Sequence, residues 1–195
     1  MQDDKTFLAK AILIAGAAIL LIVEGLFTLS SVITSLLGLP SNLNLQPALK
    51  LVGIAMLVTG LVLVLWLLKY RKPSTMIVST YFTFVKMFTR TPVSRVGDRT
   101  EPLILGGPQM YVRHPLYLGA LATFLGWALI TGSTSSLVGV AFVLLWFRFV
   151  QIPFEERELR TFFGDQYAHY SDEVPMLIPF TNRKRKNGRS RSQIG

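Results

Sequence analysis

Residues 51–68 and 115–147 contain no charged side chain at all, and residues 7–39 contain only Lys10 and Glu24. Uncharged apolar runs of about 18 residues or more read as membrane spans. With 51% hydrophobic and 16% charged residues over 195 positions, the chain is too apolar and too poor in charge for a typical soluble domain. The expected fold is therefore an all-α integral membrane protein. No small-residue cleavage site follows a short apolar core near the start, so the first run is expected to be a retained helix and not a removed signal peptide.

Residues 7–38 form the first expected span, longer than the roughly 20 residues a span needs and so tilted or protruding. An uncharged loop over 38–47 leads to a second span over about 48–68. A dense basic group follows: Lys69, Arg71, Lys72, Lys86, Arg90, Arg95 and Arg99. Within it Ile77, Tyr81, Phe84, Val85 and Phe88 recur at helical spacing, which puts them on one face. That stretch suits an amphipathic connecting helix, lying in the interface or on the bundle. Pro92, Gly97, Asp98, Pro102, Gly106 and Gly107 mark 91–108 as a loop. The last uncharged run is interrupted by TGSTSS at 131–136, which predicts a helical hairpin over about 115–131 and 136–151. A charged amphipathic helix is expected over 155–170, then the proline-punctuated 174–179 and a basic, disordered tail over 183–195. Residues 1–182 would form a single domain with about four transmembrane helices.

The 38–47 and 131–136 segments contain no Lys or Arg, whereas 69–113 and everything after Arg148 are rich in both. The positive-inside rule then places both termini in the cytoplasm. Lys50 is the exception and would snorkel to the outer interface. Of the formal net charge of +9, six basic residues belong to the tail: Arg183, Lys184, Arg185, Lys186, Arg189 and Arg191. A basic tail directly after membrane segments suits anionic lipid better than nucleic acid. Cysteine is absent, which excludes disulfides, thiolate metal ligands and a cysteine nucleophile.

Chemistry is concentrated in GPQMYVRHPLYLG, residues 107–119. Pro115 suits the first position of a helix, where its missing N–H has no intrahelical role, and His114 then lies just outside that helix. A helix start beside Arg113 and His114 is a candidate anion site; the plain alternative is a basic residue and a proline opening an ordinary membrane helix. A second cluster, Glu155, Glu156, Arg157 and Glu158, leaves the last span. A helical hairpin brings both clusters to one end of the bundle. Glu158 and Arg160 read more simply as surface charge, and an i, i+4 pair of Glu156 with Arg160 is open to the same reading.

The run YVRHPLYLG at 111–119, followed by EERELRTFFGDQYAHYSDEVPMLIP at 155–179, resembles the isoprenylcysteine carboxyl methyltransferase and phospholipid methyltransferase superfamily of membrane enzymes. The resemblance covers residues 105–180. It implies methyl transfer from S-adenosylmethionine to a lipophilic acceptor that arrives from the bilayer, without a metal. It also implies a cofactor pocket built by the last hairpin and closed by a C-terminal cytoplasmic helix. By motif, Tyr111, His114, Tyr117 and Gly119 would line that pocket, with Gly107 and Gln109 in its approach loop and Glu155 closing it from the fourth helix. Arg113 and Glu156 would be the catalytic pair. Glutamates and aromatic faces suit the cofactor's sulfonium and ammonium, and Arg113 with the helix start suits its carboxylate.

Many relatives carry a basic residue just before the VP of the VPxxxP ending and often another after it; here those positions are Glu173 and Met176. Glu173 argues against a carboxylate acceptor and leaves a thiol, amine or hydroxyl, with Glu156 or Glu173 as base. Arg148 remains a source of positive charge. Glu24 is expected to hydrogen-bond to a Ser or Thr of a neighbouring helix, with a place in an acceptor tunnel as the sharper alternative. His169 reads as a surface or packing residue. The rival functions are an NADPH-dependent membrane reductase of the sterol-reductase type and a non-catalytic membrane scaffold.

Overall fold

The computed structural model describes residues 2–89, 102–179 and 181. Six helices follow in order: α1 (Gln2–Leu36), α2 (Pro47–Leu68), α3 (Pro73–Thr89), α4 (Pro115–Thr131), α5 (Thr134–Trp146) and α6 (Ile152–Glu173). A 3-10 turn at Gly107–Met110 precedes α4, and a π turn at Phe147–Gln151 joins α5 to α6. Helices are what hydrocarbon demands, because every backbone N–H and C=O must be paired within the segment. Three helices, Lys5–Leu36, Pro47–Leu68 and Thr134–Glu173, are long and apolar enough to cross a membrane, and α4 is a shorter apolar helix. The chain is an integral membrane protein. The 40 residues from Thr134 to Glu173 are about twice the roughly 20 that one crossing needs. The uncharged, apolar part of this stretch is α5 with Phe147, and its charged residues are Arg148 in the π turn and those of α6.

The helix expected over 155–170 thus begins earlier and continues α5 without a break. The π turn sits directly before Pro153, whose ring and missing N–H are incompatible with an unmodified α-helical ladder. Gly164 then bends α6, with φ 47° and ψ −125°, a conformation open to glycine and costly for other residues. The bend is a departure from the single straight helix that the sequence suggests.

The most extensive packing joins α2 to α4, and glycines set it. Gly53 and Gly60 on α2 meet Gly126 and Gly119 on α4. A Cβ on Gly53 would come within 2.8 Å of the Gly126 carbonyl oxygen, and one on Gly60 within 2.6 Å of the Gly119 oxygen. Small residues let membrane helices approach to backbone contact, where packing replaces the missing hydrophobic drive. On the other side of α4–α5, Phe27 of α1 covers Gly139, and Ser30 Oγ donates to the Ser135 carbonyl at 2.6 Å. Leu121, Ala128, Val140 and Val143 form the buried core between α4 and α5. The amphipathic α3 lies against the N-terminal half of α1 through Phe7, Tyr81 and Phe82. Of its expected apolar face, Phe84 is buried and Phe88 is exposed.

The two uncharged loops meet at one end of the bundle. Leu43 N donates to the Gly132 carbonyl (2.8 Å) and Thr134 N to that of Ser41 (3.1 Å). The ends of α2 and α5 and the start of α4 lie at the opposite end. Glu24 departs from expectation: it is exposed and makes no hydrogen bond to a neighbouring helix among the described residues. It follows the buried Ala15 by nine residues, half a turn round the helix from that packed face. The loop over 91–108 falls partly, and the tail over 183–195 wholly, outside the described residues.

Candidate functional site

His114 is the residue before the first turn of α4 and Pro115 opens that helix, as the motif predicts. The C-terminal segment runs alongside. Arg113 N donates to the Pro175 carbonyl (2.9 Å) and His114 N to that of Met176 (3.1 Å). The VP of the VPxxxP ending therefore serves as a backbone clamp on the start of α4. The Arg113 side chain completes the clamp, donating from Nη1 to the carbonyls of Ser171 (2.5 Å) and Val174 (2.9 Å).

The two clusters converge. Arg113 Nε and Nη2 lie 2.8 and 2.7 Å from Glu156 Oε1, and His114 Nε2 lies 3.4 Å from the same oxygen. His114 Nδ1 stands 3.6 Å from Glu155 Oε2. Tyr117 donates its hydroxyl to Glu155 Oε1, to which Gln151 Nε2 also donates at 3.2 Å. Burial pushes the Glu156 carboxyl up, but hydrogen bonds from His114 and Arg113, with the guanidinium charge, outweigh it and hold it below the usual carboxylate range. The His114 and Tyr117 rings stack at 5.6 Å, and Tyr117 packs on Phe147 at 4.5 Å.

A cavity opens beside this network. Gln109, Arg113, His114, Tyr117, Glu155 and Tyr167 border it on one side, and Ser79, Thr80 and Thr83 of α3 on another. Gln109 Oε1 and the Tyr167 hydroxyl are buried and have no hydrogen-bond partner among the described residues. The bend at Gly164 turns the second half of α6 back toward the cavity. Tyr167 thereby becomes fully buried, and Tyr170 donates its hydroxyl to the Gln109 carbonyl (2.8 Å).

Of the residues that the motif singles out, Gln109, Arg113, His114, Tyr117 and Glu155 share the cavity, with Glu156 directly behind Arg113 and His114. The other three lie off it. Gly107, at φ +64°, sits against the Tyr70 ring, which a Cβ would meet at 2.5 Å. Tyr111 is half-exposed on Trp66, with ring centroids 5.9 Å apart. Gly119 belongs to the α2–α4 crossing, where a Cβ would lie 2.9 Å from Val64 Cγ2. Glu173 is exposed and does not border the cavity.

Two parts of the site escape the sequence reading. Tyr167 and Tyr170 are visible only as the spaced tyrosines after Gly164, and Gln151 carries no signal beyond its i, i+4 spacing to Glu155. Glu158, read as surface charge, is instead 3% exposed. It accepts from Lys86 Nζ (3.1 Å) and Thr83 Oγ1 (3.0 Å), and Lys86 lies over the Phe162 ring. The docking of α3 buries this pair and forms the cavity's second wall.

Comparison with known proteins supplies the family. The family model described as phospholipid methyltransferase matches residues 49–166. The chain belongs to the phospholipid methyltransferase family. Methanethiol S-methyltransferase 1 of Bradyrhizobium diazoefficiens is 39% identical over 87 residues, 44% of this chain and 30% of that protein. Protein-S-isoprenylcysteine O-methyltransferase B of Arabidopsis thaliana is 34% identical over 85 residues, 44% of this chain and 43% of that protein. The protein-S-isoprenylcysteine O-methyltransferase of Schizosaccharomyces pombe is 39% identical over 87 residues, 45% of this chain and 37% of that protein. The matches therefore span less than half of each of these relatives. No solved structure matches the chain. The phospholipid methyltransferase region takes in α2 to α5 and ends just past Gly164, so Tyr167, Tyr170 and the 174–176 clamp lie beyond it.

Proposed function

We propose that this chain is an S-adenosylmethionine-dependent methyltransferase acting on a lipophilic acceptor, a thiol before a carboxylate, at the cytoplasmic membrane face. The observation that carries the reading is the convergence of His114 and Tyr117 with Glu155 on a cavity that also holds two unpartnered buried oxygens, on Gln109 and Tyr167. That set fits a cationic ligand rich in hydrogen-bonding groups: a carboxylate and stacked rings for positive charge, and Gln109 and Tyr167 for polar edges. S-adenosylmethionine bound here would supply an electrophilic methyl group, with Glu155, His114 and Tyr117 holding its positive end and Gln109 and Tyr167 its polar edges.

The chain's own residues position and desolvate. Glu155 borders the cavity while Tyr117 and Gln151 fix its orientation. Glu156 is a positioning residue in this reading, holding Arg113 and His114 by one oxygen. The Arg113 hydrogen bonds go to Glu156 and to two backbone carbonyls, so this guanidinium staples the C-terminal segment over α4. That use of Arg113, whose guanidinium is engaged by the protein itself, favours a thiol over a carboxylate acceptor. The relatives' names include both acceptor types, methanethiol and protein S-isoprenylcysteine.

The test is a radiolabelled methyl-transfer assay on purified protein against lipophilic thiols, isoprenylcysteine carboxylates and amines, with equilibrium binding of S-adenosylhomocysteine and NADPH measured beside it. Thiol methylation with S-adenosylhomocysteine binding is the expected result. NADPH binding alone would favour a reductase, and binding of neither would leave a membrane scaffold.

A further inference from the structure

The basic residues that follow α2 do not share one fate. Lys69 and Lys72 are exposed, as residues that only resist translocation would be. Arg71 between them is half-buried and borders the cavity with Arg113, His114 and Glu155. The end of α2 sets its place. Tyr70 N and Arg71 N donate to the Leu67 carbonyl at 3.0 and 3.1 Å, and Leu67 is buried at the same cavity.

Arg113, the guanidinium that the motif offers to a cofactor carboxylate, is committed elsewhere. Its Nε and Nη2 meet Glu156 Oε1, and its Nη1 donates to the carbonyls of Ser171 and Val174. Each of its nitrogens thus has a protein acceptor. A carboxylate taken out of water without donors is costly, so a ligand that carries one needs another source of N–H groups. Arg71 interacts elsewhere in the chain as well, but a guanidinium has five N–H donors in a planar fork, enough for a carboxylate beside that partner. The first turn of α4 adds backbone N–H groups at Leu116 and Tyr117, which no described side chain caps. Both residues border the cavity.

Gln109 supplies the complementary charge preference. It is 6% exposed and borders the cavity, and its Oε1 has no hydrogen-bond partner among the described residues. Gln109 and Arg71 stand on adjoining turns, because the Tyr70 ring lies on Gly107, the first residue of the 3-10 turn that carries Gln109. We propose, on the S-adenosylmethionine reading above, that Arg71 takes the carboxylate of the cofactor's amino-acid end and that Gln109 Oε1 accepts from the ammonium beside it. An α-amino acid holds those two groups on one carbon, which a donor fork and an acceptor on neighbouring turns match. Glu155 is then left for the sulfonium.

Three adenosine ligands divide the question: S-adenosylhomocysteine, its decarboxylated analogue, which keeps the ammonium alone, and 5′-methylthioadenosine, which has neither group. Their affinities are measured by calorimetry on the purified full chain in detergent. Arg71→Gln should weaken S-adenosylhomocysteine by about 10- to 100-fold, the scale of a lost hydrogen bond to a charged group, and leave the other two ligands unchanged. Gln109→Leu should weaken both ammonium-bearing ligands and spare 5′-methylthioadenosine. Should Arg71→Gln not fold, Arg71→Lys decides: it keeps the charge but loses the fork, and must weaken S-adenosylhomocysteine relative to its decarboxylated analogue. An Arg71→Gln protein that binds S-adenosylhomocysteine as well as the wild type, or that loses all three ligands equally, overturns the proposal. Equal wild-type affinity for the three ligands overturns it too and leaves the methyltransferase reading standing. Wild-type binding of none of them would remove that reading, and this inference with it.

Discussion

Glu156 shows how one buried carboxylate organises the site. Its Oε1 meets both the Arg113 guanidinium and the His114 ring, and these partners hold the carboxyl below the ordinary value of 4.5 despite burial. A carboxyl depressed by folding adds stability above its unfolded pKa and loses it as pH falls through the folded value. The thermal midpoint of the detergent-solubilised protein should therefore drop as pH is lowered below about 4.5, and Glu156→Gln should flatten that dependence. At neutral pH the same substitution should cost about 1–3 kcal/mol, the scale of a hydrogen bond to a charged group. Tyr167 gives the opposite signature. Its hydroxyl is buried and unpartnered, so Tyr167→Phe should leave stability unchanged or raise it by up to about 1 kcal/mol. If that oxygen faces the cofactor, affinity for S-adenosylhomocysteine should fall by about 0.5–1.5 kcal/mol, measured by calorimetry. A loss of stability with no loss of affinity would make Tyr167 a packing residue.

At the scale of elements, the α2–α4 crossing controls where the start of α4 lies, and glycine decides how close it comes. Gly60→Ala places a methyl 2.6 Å from the Gly119 carbonyl oxygen and 2.5 Å from Thr123 Oγ1. Overpacking of that kind costs about 1–3 kcal/mol. Gly16→Ala, with nothing within 4 Å, should instead be neutral or stabilising by up to about 1 kcal/mol, the helix-propensity difference. Thermal unfolding of the two variants checks the contrast, and equal midpoints would mean that the crossing is loose. The crossing also marks what the sequence does and does not disclose. Spans are legible because bilayer thickness fixes the length of an uncharged run. The meeting of Arg113 and His114 with Glu155 and Glu156 is legible because a hairpin with a short turn returns the chain to the same end. Gly119 is harder: the motif places it with the cofactor, yet its backbone contact with α2 depends on which helices face each other. Glu158 looks like surface charge beside Arg157 and Arg160, and only the docking of α3 buries it against Lys86. Gly164 gives no periodic signal for its bend, since a single glycine leaves the apolar pattern of a helix intact.

For the whole molecule the two ends of the bundle differ in chemistry, and that difference predicts an orientation in the membrane. One end is built of uncharged loops bonded to each other, Leu43 to Gly132 and Thr134 to Ser41. The other gathers the cavity, the basic segment after α2 and the acidic α6. Lys and Arg near span ends resist translocation, so the charged end should face the cytoplasm. An adenosyl cofactor would then reach the cavity from the aqueous side while an apolar acceptor approaches from the bilayer. Single cysteines test this arrangement without background, because the chain has none of its own. Ser41→Cys and Ser133→Cys should react with a membrane-impermeant maleimide from the outer face of sealed vesicles. Ser74→Cys, at the exposed start of α3, should react only once the cytoplasmic face is opened. Labelling of all three from one face would contradict the four-span bundle. Labelling of Ser74→Cys alone from the outer face would keep the bundle but invert it, placing the cavity on the side of the membrane away from the cytoplasmic cofactor supply.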